Sequence, residues 1–223
     1  MRYRFLMASG LTVATLLTGA GAGATVARAE PSAPYCGITW GSLPKLSGPM
    51  TQAPVVGARV GRHDCFDRLV VDLAGTPAPG FDVGYTNGFT SVGPGNPLGV
   101  AGGAVLTVRV VAPAYASGGS PTVPWAQGTN IVGIDQFTAG GFRTFRDLVY
   151  GGSAETGDCD ANPVAVGRNY DGLYCSSDPP RLVNWLPITK LGLGVRARLP
   201  FRVFTLSGPG TGTRLVIDVA HSW

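Results

Sequence analysis

The stretch Arg68-Leu69-Val70-Val71-Asp72-Leu73-Ala74 decides the fold, because it returns almost unchanged at residues 214–220 as Arg-Leu-Val-Ile-Asp-Val-Ala. Side chains of a β-strand alternate between its two faces. Each copy therefore has aliphatic residues on one face and an Arg and an Asp, four residues apart, on the other. This pattern is typical of a half-buried antiparallel strand. If the copies are neighbours, we expect the Arg of one to pair with the Asp of the other, contributing about 0.2–1 kcal/mol at exposed positions.

Other short segments of the chain have the composition of strands, and Gly- and Pro-rich breaks separate them. A sustained helical period does not occur, although residues 142–149 also fit a short amphipathic helix. The predicted fold class is all-β: a single β-sandwich of short, mostly antiparallel strands. The predicted strands are 55–62, 65–73, 81–85, 105–111, 131–137, 142–149, 194–199, 201–206 and 214–219.

The first 29 residues have the pattern of a secretory signal peptide. Arg2 and Arg4 precede an apolar run, and Ala27-Arg28-Ala29 supplies an A-x-A cleavage site. Cleavage would leave no membrane span and a secreted protein, extracellular or associated with the cell wall. An uncleaved membrane anchor is the alternative.

The charge balance argues against nucleic acid as a partner. The full chain has 17 basic and 13 acidic residues, but the predicted signal peptide removes three arginines and no acid. The remaining net charge is about +1, which lacks the basic footprint that nucleic-acid binding needs.

The four cysteines, Cys36, Cys65, Cys159 and Cys175, predict two disulfides in a secreted chain. Three pairings are possible. We favour Cys36–Cys65 and Cys159–Cys175, because each closes a modest local loop. Metal binding is the competing interpretation, but the close C-x-x-C spacing that it requires is absent.

The domain organisation follows from these features. Residues 30–54, rich in Pro, Ser and Gly, form a lead-in segment tied to the body by Cys36. Residues 55–223 form the β-sandwich domain. Within it, residues 151–187 lack periodicity and are predicted to be a disulfide-stapled surface loop inserted between strands, a kind of segment that is often functional.

No convincing catalytic or metal constellation is present. A secreted hydrolase centred on His63 is kept as an alternative, since triads assemble in space, but no G-x-S-x-G motif supports it. His221 lies close to the end of the chain, where we expect little order. Asp158, Asp160 and Asn162 begin like a calcium loop, yet Pro163 stands where Gly is needed. We therefore expect no enzyme activity, metal or cofactor.

The candidate ligand-binding residues are arginines, one histidine and two aromatic residues. Arginine pairs with carboxylates and phosphates through a planar fork of donors, and exposed rings can stack against sugars. The alternatives are ion pairs within the protein, with Asp64, Asp67, Asp147 or Asp218, and rings that cover loops against the core. The candidates are Arg62, His63, Arg146, Arg196, Arg198, Tyr170 and Trp185, and Arg143 and Arg202 belong to the same arginine group.

Several blocks of the sequence resemble the AMIN-like domain of actinobacterial secreted proteins. The resemblance covers nearly all of the chain after the predicted signal peptide. The blocks are Cys36-Gly37-Ile38-Thr39-Trp40-Gly41, residues 59–73 (RVGRHDCFDRLVVDL), residues 142–147 (FRTFRD), residues 192–203 (GLGVRARLPFRV) and residues 213–223.

The resemblance implies a β-sandwich that attaches to the cell envelope without catalysis. The wider AMIN group targets partner enzymes or assemblies to the envelope, often through peptidoglycan. The expected partner is therefore peptidoglycan, another cell-wall polymer or an envelope protein. Two departures from the family pattern matter: no amidase domain follows, and residues 151–187 are an apparent addition to the usual pattern.

Overall fold

The computed structural model describes residues 33–48, 50–93, 95–131, 141–158 and 184–223, all within one compact unit of the chain. The side chains of residues 155–158 and 184–186 are not described. These ranges contain one 3₁₀ turn, Tyr35–Gly37, and eleven strands. The strands are β1 (Lys45–Ser47), β2 (Val55–Arg62), β3 (Phe66–Leu73), β4 (Gly80–Thr86), β5 (Phe89–Thr90), β6 (Pro97–Leu98), β7 (Ala104–Val111), β8 (Phe145–Asp158), β9 (Asn184–Val195), β10 (Phe201–Ser207) and β11 (Thr213–Ala220).

Two antiparallel sheets form the body of the domain. One sheet has five strands in the order β1-β4-β7-β9-β8, and the other has four in the order β10-β11-β3-β2. The short pair β5-β6 makes a separate hairpin. It lies on the five-stranded sheet, where the Phe89 ring contacts the bare backbone of Gly192. This arrangement confirms the predicted all-β class.

The core lies between the two sheets, as strand alternation requires. Each sheet turns one set of aliphatic side chains inward, and these residues have almost no exposed surface. Burial of this kind contributes about 25 cal/mol for each Å² of apolar surface removed from water. The fully buried members include Leu69, Val71, Leu215 and Ile217 from the four-stranded sheet and Leu106, Val108, Leu191 and Leu193 from the five-stranded sheet.

The two copies of the repeated sequence are direct neighbours in the four-stranded sheet. β3 and β11 run antiparallel, so Arg68 lies opposite Asp218 and Asp72 lies opposite Arg214. Arg68 donates to both carboxylate oxygens of Asp218, over 2.6 and 2.9 Å, which confirms the first predicted pair. Asp72 instead accepts from Arg59 of β2, over 2.9 and 3.0 Å. The second predicted pair is therefore replaced, because Arg59 also reaches this carboxylate.

The predicted loop at residues 151–187 is wrong at both of its ends. β8 continues to Asp158 and β9 begins at Asn184, and these two residues face each other in the ladder. The polar and Gly-rich sequence of β8 hides the strand, because backbone hydrogen bonds to β9 stabilise it without an apolar alternation. Residues 159–183 lie outside the described residues.

Smaller differences concern strand limits. β9 ends at Val195, so the predicted strand at 194–199 is mostly a turn between β9 and β10. The segment 142–149 is a strand from Phe145 onward and not a helix. The lead-in segment contains the strand β1, which the sequence pattern did not predict. The predicted strand 131–137 and the predicted signal peptide fall almost wholly outside the described residues.

The Cys36–Cys65 disulfide is present, as predicted, and ties the lead-in segment to the turn between β2 and β3. The backbone N–H of Phe201 donates to the carbonyl of Gly41, which adds a second attachment for this segment. The predicted Cys159–Cys175 pair lies outside the described residues.

Candidate functional site

One end of the sandwich gathers most of the arginines that the sequence singled out. β2 and β9 end there, while β3, β8 and β10 begin there. We call this surface the arginine end; it comprises residues 62–65, 141–146, 196–200 and 221–223. The backbone N–H of Arg196 donates to the carbonyl of Thr144 over 2.9 Å, and that of His221 donates to the carbonyl of Cys65 over 3.0 Å. These bonds join the four segments in two pairs, and the Arg196 guanidinium, which donates to the carbonyl of His221, links one pair to the other.

A buried network of Asp67 and His221 supports the arginine end from below. Asp67 has no exposed surface. One of its oxygens accepts from the backbone N–H groups of Thr144 and Phe145, over 2.6 and 3.2 Å. The other oxygen lies 3.1 Å from Nε2 of His221, whose Nδ1 is 3.2 Å from the carbonyl of Asp64. His221 is thus ordered and buried, contrary to expectation, and both of its ring nitrogens serve the fold.

Four arginines of this end are exposed: Arg62, Arg143, Arg196 and Arg198. Within the described residues none of them forms an ion pair with an acid. The Arg62 guanidinium lies directly over Gly141, where a β-carbon would collide with it. Arg196 donates to the carbonyl of His221. The internal pairing that would have explained these four arginines is therefore absent from the described part of the chain.

Arg146 behaves differently from these four arginines. Its guanidinium turns back onto the main chain and donates to the carbonyls of Phe145, over 2.7 Å, and Arg143, over 3.3 Å. It holds the segment that enters β8, and its remaining donors are only partly exposed. We therefore regard Arg146 as a supporting residue of the arginine end.

The electrostatics of this end are dominated by positive charge. Asp64 is exposed there, but Asp67 is buried against His221. Asp147 accepts from the Asn130 side chain over 2.5 Å and from the backbone of Ala101 over 2.9 Å. Among the described side chains of this end, four exposed guanidiniums stand against one exposed carboxylate, a balance that favours a positive local field even though the net charge of the chain is small.

A cleft of about 370 Å³ opens beside Arg198. The Arg198 guanidinium lies 5.3 Å from the centre of the Tyr85 ring. The Tyr85 hydroxyl donates to the carbonyl of Leu199 and accepts from its N–H, both over 2.9 Å. Burial raises the pKa of Tyr85 to about 12. The cleft is lined by Tyr85, Thr86, Asn87, Gly102, Gly103, Ala104, Val105 and Arg198.

Arg202 belongs to a packed cluster on the outer face of the four-stranded sheet. It donates to the fully buried Asp218 over 2.8 Å, and its guanidinium lies 4.4 Å from the centre of the Trp40 ring. Phe66 and Phe204 complete the cluster around Arg202. These aromatic faces are already occupied by guanidinium groups, so the cluster fastens the lead-in segment to the sheet.

His63 does not form a catalytic group within the described residues. Its exposed ring stacks on Phe66, with ring centres 4.5 Å apart. No hydroxyl or thiol of these residues is hydrogen-bonded to it; Cys65 is in the disulfide. The described residues also contain no group of three or more His, Cys, Asp or Glu side chains placed to bind a metal. In the same residues, no helix has the length and apolarity to cross a membrane.

The aromatic candidates of the 151–187 segment fall outside this description. Tyr170 lies outside the described residues, and Trp185 is a backbone position of β9 whose side chain is not described. Sequence reasoning did not identify the aromatic rings that contact two of the arginines: Trp40, which contacts Arg202, and Tyr85, which contacts Arg198. Their signal was weak: Trp40 stands in a Gly-rich segment, and Tyr85 ends a predicted strand.

Comparison with known proteins identifies a family. A family model described as the AMIN-like domain matches residues 53–183 and 188–221. The first matched range includes most of residues 151–187, the segment that we expected to be an addition to the family pattern. No curated protein and no solved structure matches the chain significantly.

Proposed function

Because this chain belongs to the AMIN-like domain family, which connects it with the cell envelope, we propose that it is a secreted, non-catalytic module that binds a cell-wall polymer, peptidoglycan being the first candidate. The observation that carries this proposal is the arginine end, with its four exposed arginines that have no acidic partner within the described residues. Peptidoglycan presents peptide carboxylates, and other envelope polymers present phosphates. Both are ligands of arginine.

The arrangement suits a repeating ligand better than a small one. Each exposed arginine contributes little by itself, since a solvated ion pair is worth about 0.2–1 kcal/mol. A polymer engages several arginines at once, and the later contacts form at a high effective concentration. The rigid backbone attachments beneath the arginines reduce the entropy lost on binding. Binding should therefore be measurable on intact walls and should weaken as salt rises.

Sedimentation with isolated actinobacterial cell walls, at low and moderate salt, tests this proposal. The informative variant is R62Q/R143Q, because neither guanidinium forms a hydrogen bond within the described residues. Losing two contacts should weaken binding roughly 2- to 30-fold. The control is R59Q/R214Q, which removes the same charge from the four-stranded sheet away from this end.

The outcomes separate the competing explanations. The proposal fails if the wild-type protein does not sediment at low salt, or if the two double variants weaken binding equally. Sedimentation with walls that have been treated with protease is a further condition of the experiment. If the treatment removes binding, the partner is an envelope protein and not the polymer.

A further inference from the structure

The cleft beside Arg198 has the size of one ligand unit rather than a length of polymer. Its volume of about 370 Å³ lies at the low end of the range for small-molecule sites, about 300–1,000 Å³. It is bounded by the end of β4, the start of β7 and the turn between β9 and β10. One sugar ring or one amino-acid unit fits such a space.

The contacts around Arg198 position its guanidinium and leave the N–H donors of that group available to a ligand. The central carbon of the guanidinium lies over the Tyr85 ring, 5.3 Å from the ring centre, and the Tyr85 hydroxyl is fixed by two hydrogen bonds to Leu199. The Trp223 indole donates to the carbonyl of Arg198 over 3.1 Å, which fixes the backbone of the turn. This contact uses the face of the aromatic ring and none of the guanidinium N–H donors, and within the described residues these donors form no hydrogen bond. Arg198 is therefore a hydrogen-bond donor for an anion, and its position is set before a ligand binds.

The other cleft residues favour an anion of low charge. No acidic side chain lines the cleft, and the Tyr85 phenol, whose pKa burial raises to about 12, adds no negative charge to it. The Thr86 hydroxyl is engaged with Gly88 and Thr107, over 2.7 Å in each case. The exposed Asn87 side chain contributes an amide donor.

Two glycines let one wall of the cleft pack closely against the turn between β9 and β10. A β-carbon on Gly102 would lie 2.7 Å from the carbonyl oxygen of Val195, and one on Gly103 would collide with the carbonyl of Arg196. Gly102 also has a φ of 138°, which other residues rarely adopt. The backbone of this loop thus packs directly against the turn that carries Arg198.

We propose that this cleft is the carboxylate subsite of the arginine end: Arg198 receives the carboxylate of a single sugar or amino-acid unit of the polymer. This inference rests on the proposed function and deepens it. One guanidinium fork matches a planar carboxylate, with two parallel N–H···O bonds. A phosphate dianion would call for more than the one cation that lines the cleft.

Two pairs of probes test the carboxylate and its source. N-acetylmuramic acid carries the acid on a sugar, and N-acetylglucosamine lacks it. N-acetyl-D-alanine carries the acid on an amino acid, and its amide lacks it. We expect saturable shifts of the backbone amide NMR signals of Asn87, Gly102 and Gly103 with at least one of the acids and with neither neutral analogue. R198Q should weaken that binding about 10-fold or more, while R59Q should leave it unchanged.

Three results would overturn the subsite: neutral analogues that bind as tightly as the acids, inorganic phosphate that binds as tightly as the carboxylates, or R198Q with wild-type affinity. Wall sedimentation separates this failure from that of the proposed function. If walls still bind the wild-type protein and R198Q equally, the subsite is wrong and the module stands. If the acids bind the cleft but the walls do not sediment the protein, the polymer proposal is wrong.

Discussion

Replacing Asp218 by Asn should destabilise the protein much more than the same change at Asp72, although the two residues occupy equivalent positions of the repeated sequence. Asp218 is fully buried and accepts from Arg68 and Arg202, with three donor–acceptor distances between 2.6 and 2.9 Å. Its hydrogen bonds raise the pKa of the Arg68 guanidinium above its ordinary value. Asn keeps the volume but removes the charge and presents an N–H₂ group to the guanidiniums.

The magnitude follows from the exposure of the partners. Breaking a buried ion pair costs about 3–5 kcal/mol, because a charge is left without compensation. The side chains of Arg68 and Arg202 are 25% and 43% exposed, so water recovers part of the loss and we expect about 3 kcal/mol. At the other copy, Arg59 and Asp72 are 55% and 31% exposed, and the pair should contribute less than about 1 kcal/mol.

Urea unfolding followed by tryptophan fluorescence measures both values under one condition. With a slope of about 2 kcal/mol per molar urea, D218N should lower the midpoint by roughly 1.5 M and D72N by less than about 0.5 M. The slopes should agree, which shows that the compactness of the states is unchanged. Equal midpoints for the two variants would refute the argument that burial distinguishes the two copies.

Two further changes test other parts of the structure. Tyr85→Phe removes a hydroxyl whose pKa burial raises from 10.0 to about 12; because the folded-state value is the higher one, its contribution is complete below pH 10 and is lost as the pH rises through 12. The free energy of unfolding, taken from urea titrations between pH 9 and 12, should therefore fall more steeply for the wild type, with an additional loss of about 2.3 kcal/mol at pH 12. Parallel profiles would contradict this assignment. Replacing Cys36 and Cys65 by Ser opens a loop with a sequence separation of 29 and should cost about 3–4 kcal/mol. The wild type unfolded with its disulfide reduced should match this variant, and a reduced protein as stable as the oxidised one would show that the bond contributes nothing.

The repeated strands were predictable because their side chains alternate with the period of a sheet. The sequence at residues 68–74 shows one aliphatic face, and that face is indeed buried. The end of β8 could not be recognised in the same way. Residues 151–158 contain three glycines, and their order depends on hydrogen bonds to β9, more than 25 positions away. The composition of residues 151–158 gives no indication of a partner strand so distant in sequence.

The candidate site was predictable in composition but not in geometry. The sequence singled out Arg62, Arg196 and Arg202 together, yet only the third is bound to an acid in the described residues. The difference depends on which carboxylate each strand register places opposite an arginine. His221 shows the same limit: nearness to the end of the sequence predicted disorder, while Asp67, 154 positions earlier, holds it in the interior.

The position of β11 has a consequence for how the protein folds. β11 is an inner strand of its sheet, yet it follows every other described strand in the chain and pairs with β3, where Ala220 lies opposite Phe66, 154 positions earlier. Such distant pairing makes folding slow, since the closure of a long loop precedes the contacts that stabilise it. Until β11 is in place, β3 and β10 each lack a neighbour and expose an unpaired edge, which is a site of aggregation. A chain that stops before residue 213 would keep both edges open, so the eight residues of β11 remove two aggregation-prone edges when they join the sheet.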